Sequence, residues 1–173
     1  MDTRNIGSCA TIPSLRRVLA LVLAILILPN VLLAAESNLP VPRYVSLRSA
    51  EVNLRTGPGE RYPIDWVFTR RDMPVEIVAE FEQWRKIRDW QGTEGWVHER
   101  MVKGQRNIVV KGEIRTLHSE PDANARTVAR AEPGAIAKLL ECKESWCRIE
   151  AQDVKGWVRR SEVWGVYATE NVQ

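Results

Sequence analysis

The sequence predicts an all-β protein made of two tandem copies of a small β-barrel, which follow an N-terminal signal peptide. Three observations support this prediction: an apolar N-terminal segment behind two arginines, a repeat with a period near 60 residues, and short strand-like runs between glycine and proline turns. We expect the signal peptide at residues 1–35, the first copy at 44–103 and the second copy at 107–167.

The composition is that of a globular protein without a nucleic-acid binding surface. Of the 173 residues, 45% are hydrophobic and 27% are charged, which argues against a disordered chain. Residues 36–173 carry 22 basic and 21 acidic side chains, a net charge of +1. Because nucleic-acid binders need a surplus of basic residues, the sequence excludes DNA and RNA as expected partners.

The N-terminus has the features of a secretory signal. Arg16 and Arg17 precede an apolar run at residues 18–28, which Pro29 and Asn30 interrupt. The segment ends on two small residues, Ala34 and Ala35, and we expect cleavage after Ala35. An uncleaved anchor is the alternative, although residues 18–35 are marginal in length for a membrane span. Both alternatives place residues 36–173 in the periplasm or outside the cell, with membrane contact only through an uncleaved N-terminal segment.

The two cysteines after the signal, Cys142 and Cys147, are predicted to form a disulfide. Exported proteins meet an oxidising environment, and the three residues between these cysteines are typical of a tight turn. A bridge there would stabilise the fold by about 2 kcal/mol. A redox or catalytic thiol is less favoured because the sequence lacks a Cys-x-x-Cys motif. We expect no cofactor and no metal site, since His98 and His118 have no metal-ligand spacing.

The chain repeats itself after about 60 residues. The run Trp-Arg-Lys-Ile-Arg at residues 84–88 corresponds to Trp-Cys-Arg-Ile-Glu 62 residues later, and Gly-Trp-Val at 95–97 recurs 61 residues later. The offset changes by single residues, as loop insertions would cause. Two copies of a small domain explain this pattern better than a solenoid, whose repeats are shorter.

Each copy has the pattern of short strands joined by turns. Apolar residues alternate with mostly acidic ones over residues 75–82, which is the period of a half-buried strand. Residues 56–59, Thr-Gly-Pro-Gly, are typical of a turn. The best helix candidate after the signal, residues 123–131, is mostly small or polar, so we expect no long helix.

These motifs resemble those of a known family. Residues 53–59, Asn-Leu-Arg-Thr-Gly-Pro-Gly, are similar to the opening motif of the bacterial SH3-like family, Asn-x-Arg-x-Gly-Pro-Ser/Gly. Residues 84–97 resemble the second half of an SH3-like barrel. The second copy keeps Gly-Trp-Val, but residues 117–122 lack the glycines of the opening motif. The resemblance implies an exported protein that binds cell-wall peptides or other proteins, commonly without enzymatic activity.

Strand alternation separates binding tryptophans from core tryptophans. If Ile87 faces the core, Trp84 on the same predicted strand faces the opposite side, and Trp146 has the same relation to Ile149. A β-bulge in that strand would reverse the argument. The resemblance also places Trp84 where the family has its groove tryptophan. We therefore expect Trp84, and less strongly Trp146, to bind ligand, with a core role as the alternative.

Three further residues complete the predicted groove. Tyr62 and Arg55 would flank Trp84 from the loop after the first strand, and Trp96 of the Gly-Trp-Val repeat is the remaining candidate. Arg55 could hold a carboxylate of a stem peptide or of an acidic partner. The alternative for Arg55 is a solvated side chain or an intramolecular pair.

The predicted function is that of a non-enzymatic binding protein that recognises cell-wall peptides or peptidoglycan through an aromatic groove. The alternative is an adaptor that bridges envelope proteins without wall contact. An enzyme is disfavoured because two histidines and two cysteines that we expect to be bridged offer little support for a nucleophile and its base.

Overall fold

The computed structural model describes residues 37–172, so the predicted signal peptide at residues 1–35 lies outside the described residues. Within residues 37–172 the protein is built of strands, and its helical elements are two short 3-10 turns, Glu99–Met101 and Arg160–Glu162. Over this range no helix has the length and apolar character needed to span a membrane. The predicted all-β class is confirmed.

The first copy is a seven-stranded antiparallel sheet with the strand order β3-β2-β6-β5-β4-β1-β7. Its strands are β1 (Arg43–Leu47), β2 (Val52–Arg55), β3 (Ile64–Phe68), β4 (Pro74–Phe81), β5 (Trp84–Arg88), β6 (Glu94–His98) and β7 (Val102–Lys103).

The second copy is a seven-stranded antiparallel sheet with the order β10-β9-β13-β12-β11-β8-β14, which is the same topology shifted by seven strands. The predicted tandem arrangement is therefore confirmed. Its strands are β8 (Asn107–Val110), β9 (Arg115–His118), β10 (Thr127–Ala131), β11 (Ile136–Lys143), β12 (Trp146–Ala151), β13 (Val154–Arg159) and β14 (Val163–Trp164).

Each copy buries its own apolar core on one face of its strands. In the first copy Leu54, Ile87 and Val97 are fully buried, and in the second copy Leu117 and Ile149 occupy the corresponding positions. Burial of each such side chain stabilises the fold by about 1.5–3 kcal/mol. The alternation that buries these residues turns their strand neighbours outward.

A β-bulge in the long strand of each copy interrupts the alternation that the sequence predicts. On β4 the register shifts between Ile77 and Ala79, and on β11 it shifts between Leu139 and Glu141. The shift turns Phe81, which the simple alternation places beside Val75 and Ile77, outward with 51% of its surface exposed. The bulges lie on β4 and β11, so the alternation along β5 and β12 is preserved.

The hairpins β4–β5 and β11–β12 are closed by different chemistry at one equivalent position. In the second copy Cys142 pairs with Cys147 across the strands, and the predicted disulfide is confirmed. In the first copy the paired residues are Glu80 and Arg85, whose side chains form a salt bridge of 3.2 Å. Because both pairs occupy the same register, the disulfide in one copy replaces the ion pair in the other.

Polar and aromatic contacts join the two copies. The buried Asn107 side chain donates a hydrogen bond of 2.9 Å to Ser46, and the Tyr167 hydroxyl donates one of 2.8 Å to Glu76. Tyr44 packs against Tyr167, with ring centroids 4.5 Å apart. The alternation over residues 75–82 puts Glu76 on the strand face opposite Val75 and Ile77, yet Glu76 is buried too, with its carboxylate bonded to Arg88 and to Tyr167 of the second copy.

Candidate functional site

A groove of about 360 Å³ lies on the outer face of the first copy. Trp84 of β5 and His98 of β6 face each other in adjacent strands and form one wall. Trp84 is half-buried and lies on the face opposite Ile87, which is fully buried. The remaining lining residues come from β2 and the residue before it, from the β2–β3 loop and from the 3-10 turn after β6: Glu51, Asn53, Arg55, Glu60, Arg100 and Met101.

The Trp84 ring is held by His98. The two rings pack edge to face with centroids 5.5 Å apart, an arrangement that adds about 0.5–1.5 kcal/mol to burial between aromatic rings. His98 Nδ1 accepts a hydrogen bond of 3.2 Å from the Arg100 amide, and Nε2 lies 3.3 Å from the Gln83 side-chain oxygen. These contacts assign the ring proton to Nε2, which donates to Gln83. The imidazole therefore positions the indole.

Arg55 closes the loop that borders the groove. Its Nη1 donates to the carbonyl oxygens of Glu60 and Tyr62, at 3.0 and 2.7 Å. The intramolecular role that the sequence left open for Arg55 is thus present, and the side chain also lines the groove. The Tyr62 ring packs flat against Gly57, where an added Cβ would lie 2.4 Å from Cδ1 of the ring. Tyr62 therefore supports the loop and does not line the groove.

The groove presents both signs of charge. Arg55 and Arg100 supply guanidinium groups, and Glu51 and Glu60 supply carboxylates. Within residues 37–172 none of these four side chains takes part in a salt bridge. The arrangement can accept a ligand that carries a carboxylate and an amino group together.

The other two predicted tryptophans lie outside this groove. Trp96 stands half-buried on β6, in register with Lys86 and Arg55, and does not line the cavity. Trp146 occupies the position in the second copy that Trp84 has in the first, but only 8% of its surface is exposed.

Neighbouring side chains cover Trp146 on two sides. The His118 ring packs edge to face against it at 5.6 Å, and the Arg159 guanidinium lies 4.9 Å from its ring centre. Arg159 lies opposite Trp146 on the adjacent strand, at the position that His98 has opposite Trp84 in the first copy. The second copy thus lacks the open aromatic wall of the first.

Sequence reasoning missed most of the polar lining. Glu51, Glu60 and Arg100 had no motif to mark them, and His98 was considered only as a metal ligand or a catalytic base. The pairing of β5 with β6 places His98 opposite Trp84, and that register could not be read from a single strand. Among residues 37–172 no group of His, Cys, Asp or Glu side chains could hold a metal ion.

Comparison with known proteins identifies both copies. The family model described as bacterial SH3 domain matches residues 48–104 and 111–165. No curated protein matches this chain. Among solved structures the chain is similar to NlpC2 from Trichomonas vaginalis, with 11% identity, a TM-score of 0.34, and coverage of 73% of this chain and 49% of that one.

It is also similar to NlpC1 from Trichomonas vaginalis, with 13% identity, a TM-score of 0.34, and coverage of 79% of this chain and 50% of that one. The chain therefore spans about half the length of these solved structures. The family match covers most of residues 48–165 in two consecutive segments with one shared topology. The chain belongs to the bacterial SH3 domain family and carries two of its domains in tandem.

Proposed function

We propose that this protein is an exported, non-enzymatic binding protein whose first SH3 domain holds cell-wall peptides in the Trp84 groove. Bacterial SH3 domains commonly bind other proteins or the cell wall, and this supports a binding role in general. The observation that carries the specific proposal is the half-buried Trp84 ring beside charges of both signs that have no salt-bridge partner in the described residues.

Cell-wall peptides match this groove chemically. They are short, carry free carboxylates and amino groups, and have small apolar side chains between them. Arg55 and Arg100 would hold a carboxylate, Glu51 or Glu60 would hold an amino group, and the Trp84 ring would cover the apolar part. A peptide offering only one sign of charge would leave half of these groups unpaired.

A binding role without catalysis is supported by the state of the reactive side chains. Cys142 and Cys147 are bonded to each other and buried, so neither offers a thiolate nucleophile. Both nitrogens of His98 are engaged, one by the Arg100 amide and the other by Gln83. The groove residues are therefore arranged to position a ligand.

Co-sedimentation with purified peptidoglycan sacculi tests the proposal. We expect the protein to sediment with the sacculi, and Trp84→Ala to lower its retention about tenfold, as loss of a buried aromatic anchor does in other interfaces. Trp66→Ala is the matched control, because Trp66 is 56% exposed and does not line the groove. Thermal unfolding of each variant checks that the fold is retained.

Two results would overturn the proposal. If the unaltered protein stays in the supernatant, the groove does not bind the wall. If Trp84→Ala and Trp66→Ala lose retention equally, the contact is not made by the groove. Co-purification of an envelope protein, without retention on sacculi, would favour the adaptor role instead.

A further inference from the structure

A second cavity, of about 670 Å³, lies where the two domains meet and carries three arginines. Arg70 and Arg71 belong to the connection between β3 and β4 of the first domain, and Arg130 lies on β10 of the second. All three are exposed. Within residues 37–172 none of them forms a salt bridge. We call this site the arginine cavity.

The rest of the arginine cavity is mainly apolar. Its walls include Ala129, Ala131, Ala135 and Val154, and 39% of the Val154 surface is exposed. Glu132 is the acidic residue among the lining side chains. The exposed guanidinium groups therefore lie beside a wall that can cover apolar side chains, and the cavity offers one ligand both kinds of contact.

The cavity is held in shape by the contacts between the domains. The Asn107–Ser46 hydrogen bond of 2.9 Å and the Tyr167–Glu76 hydrogen bond of 2.8 Å fix one domain against the other. Arg70 reaches across the boundary, so that a Cβ added to Gly134 of the second domain would lie 3.9 Å from its Nη1. A site built in advance loses less entropy when it binds a partner.

We propose that the arginine cavity binds an acidic segment of a partner protein, one that carries carboxylates and small apolar side chains. Arginine pairs with carboxylates through two parallel hydrogen bonds, and three guanidinium groups here have no salt-bridge partner among the described residues. The alanine and valine wall would take the apolar side chains. This inference does not depend on the function proposed for the Trp84 groove, which shares no lining residue with the cavity.

A protein segment fits the cavity better than a phosphate polymer does. A polyanion would gain from the arginines alone and would leave the apolar wall uncovered. The net charge of +1 over residues 36–173 also gives the protein little long-range attraction for a polymer of phosphates.

Fluorescence anisotropy with a labelled peptide of alternating glutamate and alanine tests the inference. We expect the peptide to bind the protein, to bind less tightly as salt is added, and to bind about tenfold less tightly to the double variant Arg71→Glu/Arg130→Glu. The control is Arg61→Glu/Arg126→Glu, which changes the net charge equally at two exposed arginines outside the cavity. The control variant should bind like the unaltered protein.

Three results would overturn the inference. The first is absence of binding by the glutamate peptide. The second is equal weakening in both double variants, which would show attraction by net charge alone. The third is tighter binding of polyphosphate than of the peptide, with the same dependence on Arg71 and Arg130, which would make the site one for phosphate polymers. None of these results bears on sacculus binding through Trp84, so the two proposals fail separately.

Discussion

Glycine at position 95 is required by the close packing of β6 on β2. A Cβ placed there would lie 2.5 Å from Cγ of the buried Leu54 and 2.9 Å from the Arg55 carbonyl oxygen. Gly156 in the second domain has the same constraint, since its Cβ would lie 2.8 Å from the Cβ of Leu117. The Gly-Trp-Val repeat that marks both copies in the sequence therefore reflects the packing of each core.

We predict that Gly95→Ala lowers the free energy of unfolding by about 1–3 kcal/mol, because the core must shift to admit the methyl group. Gly104→Ala is the matched control: no atom lies within 4 Å of the added Cβ, and its unfolding free energy should stay within about 0.5 kcal/mol. Urea denaturation followed by tryptophan fluorescence measures both. Equal stability of the two variants would contradict this packing account.

Trp84 and Trp146 show what strand alternation can predict and what it cannot. Alternation along β5 places Trp84 opposite Ile87 because the bulge lies on the partner strand β4. The same reasoning applied to Trp146 could not foresee that His118 and Arg159 cover its ring, since that depends on side chains from two other strands. The strand alone decides which way a side chain points. How much of that side chain is exposed depends on neighbouring strands, whose pairing a single sequence does not show.

At the scale of elements, the two hairpins show one fold stabilised in two ways. Arg85 in the first domain is buried and bonds Glu80 and Glu99, while the second domain has the disulfide at the equivalent register. Glu80 also receives hydrogen bonds from Ser37 and Arg43, and these outweigh the effect of its burial and lower its pKa. The bulges and the turn positions that produce this register were not readable from alternation alone.

We predict that removing the disulfide with Cys142→Ala/Cys147→Ala lowers the free energy of unfolding by about 2 kcal/mol, because the open hairpin gains entropy in the unfolded chain. Reductant added to the unaltered protein should have the same effect. Reductant added to the double variant should have none, which serves as the control. An unchanged urea midpoint in the double variant would contradict a stabilising role for the bridge.

At the scale of the whole molecule, the two domains are joined through ionisable aromatic side chains. Burial, followed by the nearby Glu76 carboxylate, raises the pKa of Tyr44 to about 12 from its ordinary value of 10.0. Burial and the hydrogen bond to Glu76 raise the pKa of Tyr167 as well. The repeat in the sequence predicted the two domains correctly. Nothing in the sequence indicated that Glu76 would be buried where the two domains meet.

We predict that this boundary weakens in alkaline solution. A tyrosine whose pKa is raised by folding contributes stability that is complete below pH 10.0 and is lost as the pH rises through about 12. The unfolding temperature should therefore fall over that interval, together with the rise of tyrosinate absorbance. The variant Tyr44→Phe should lose less stability over the same interval. An identical alkaline profile in the two proteins would show that Tyr44 does not couple the boundary to pH.

Binding of wall peptide by the first domain through Trp84 can be followed by the indole N–H signals of the seven tryptophans in a ¹⁵N-labelled sample. The signal of Trp84, assigned by its loss in Trp84→Phe, should shift progressively as a soluble stem peptide is added. The signals of the covered Trp146 and of Trp66 should stay in place. A shift confined to other tryptophans, or no shift at all, would contradict binding through Trp84.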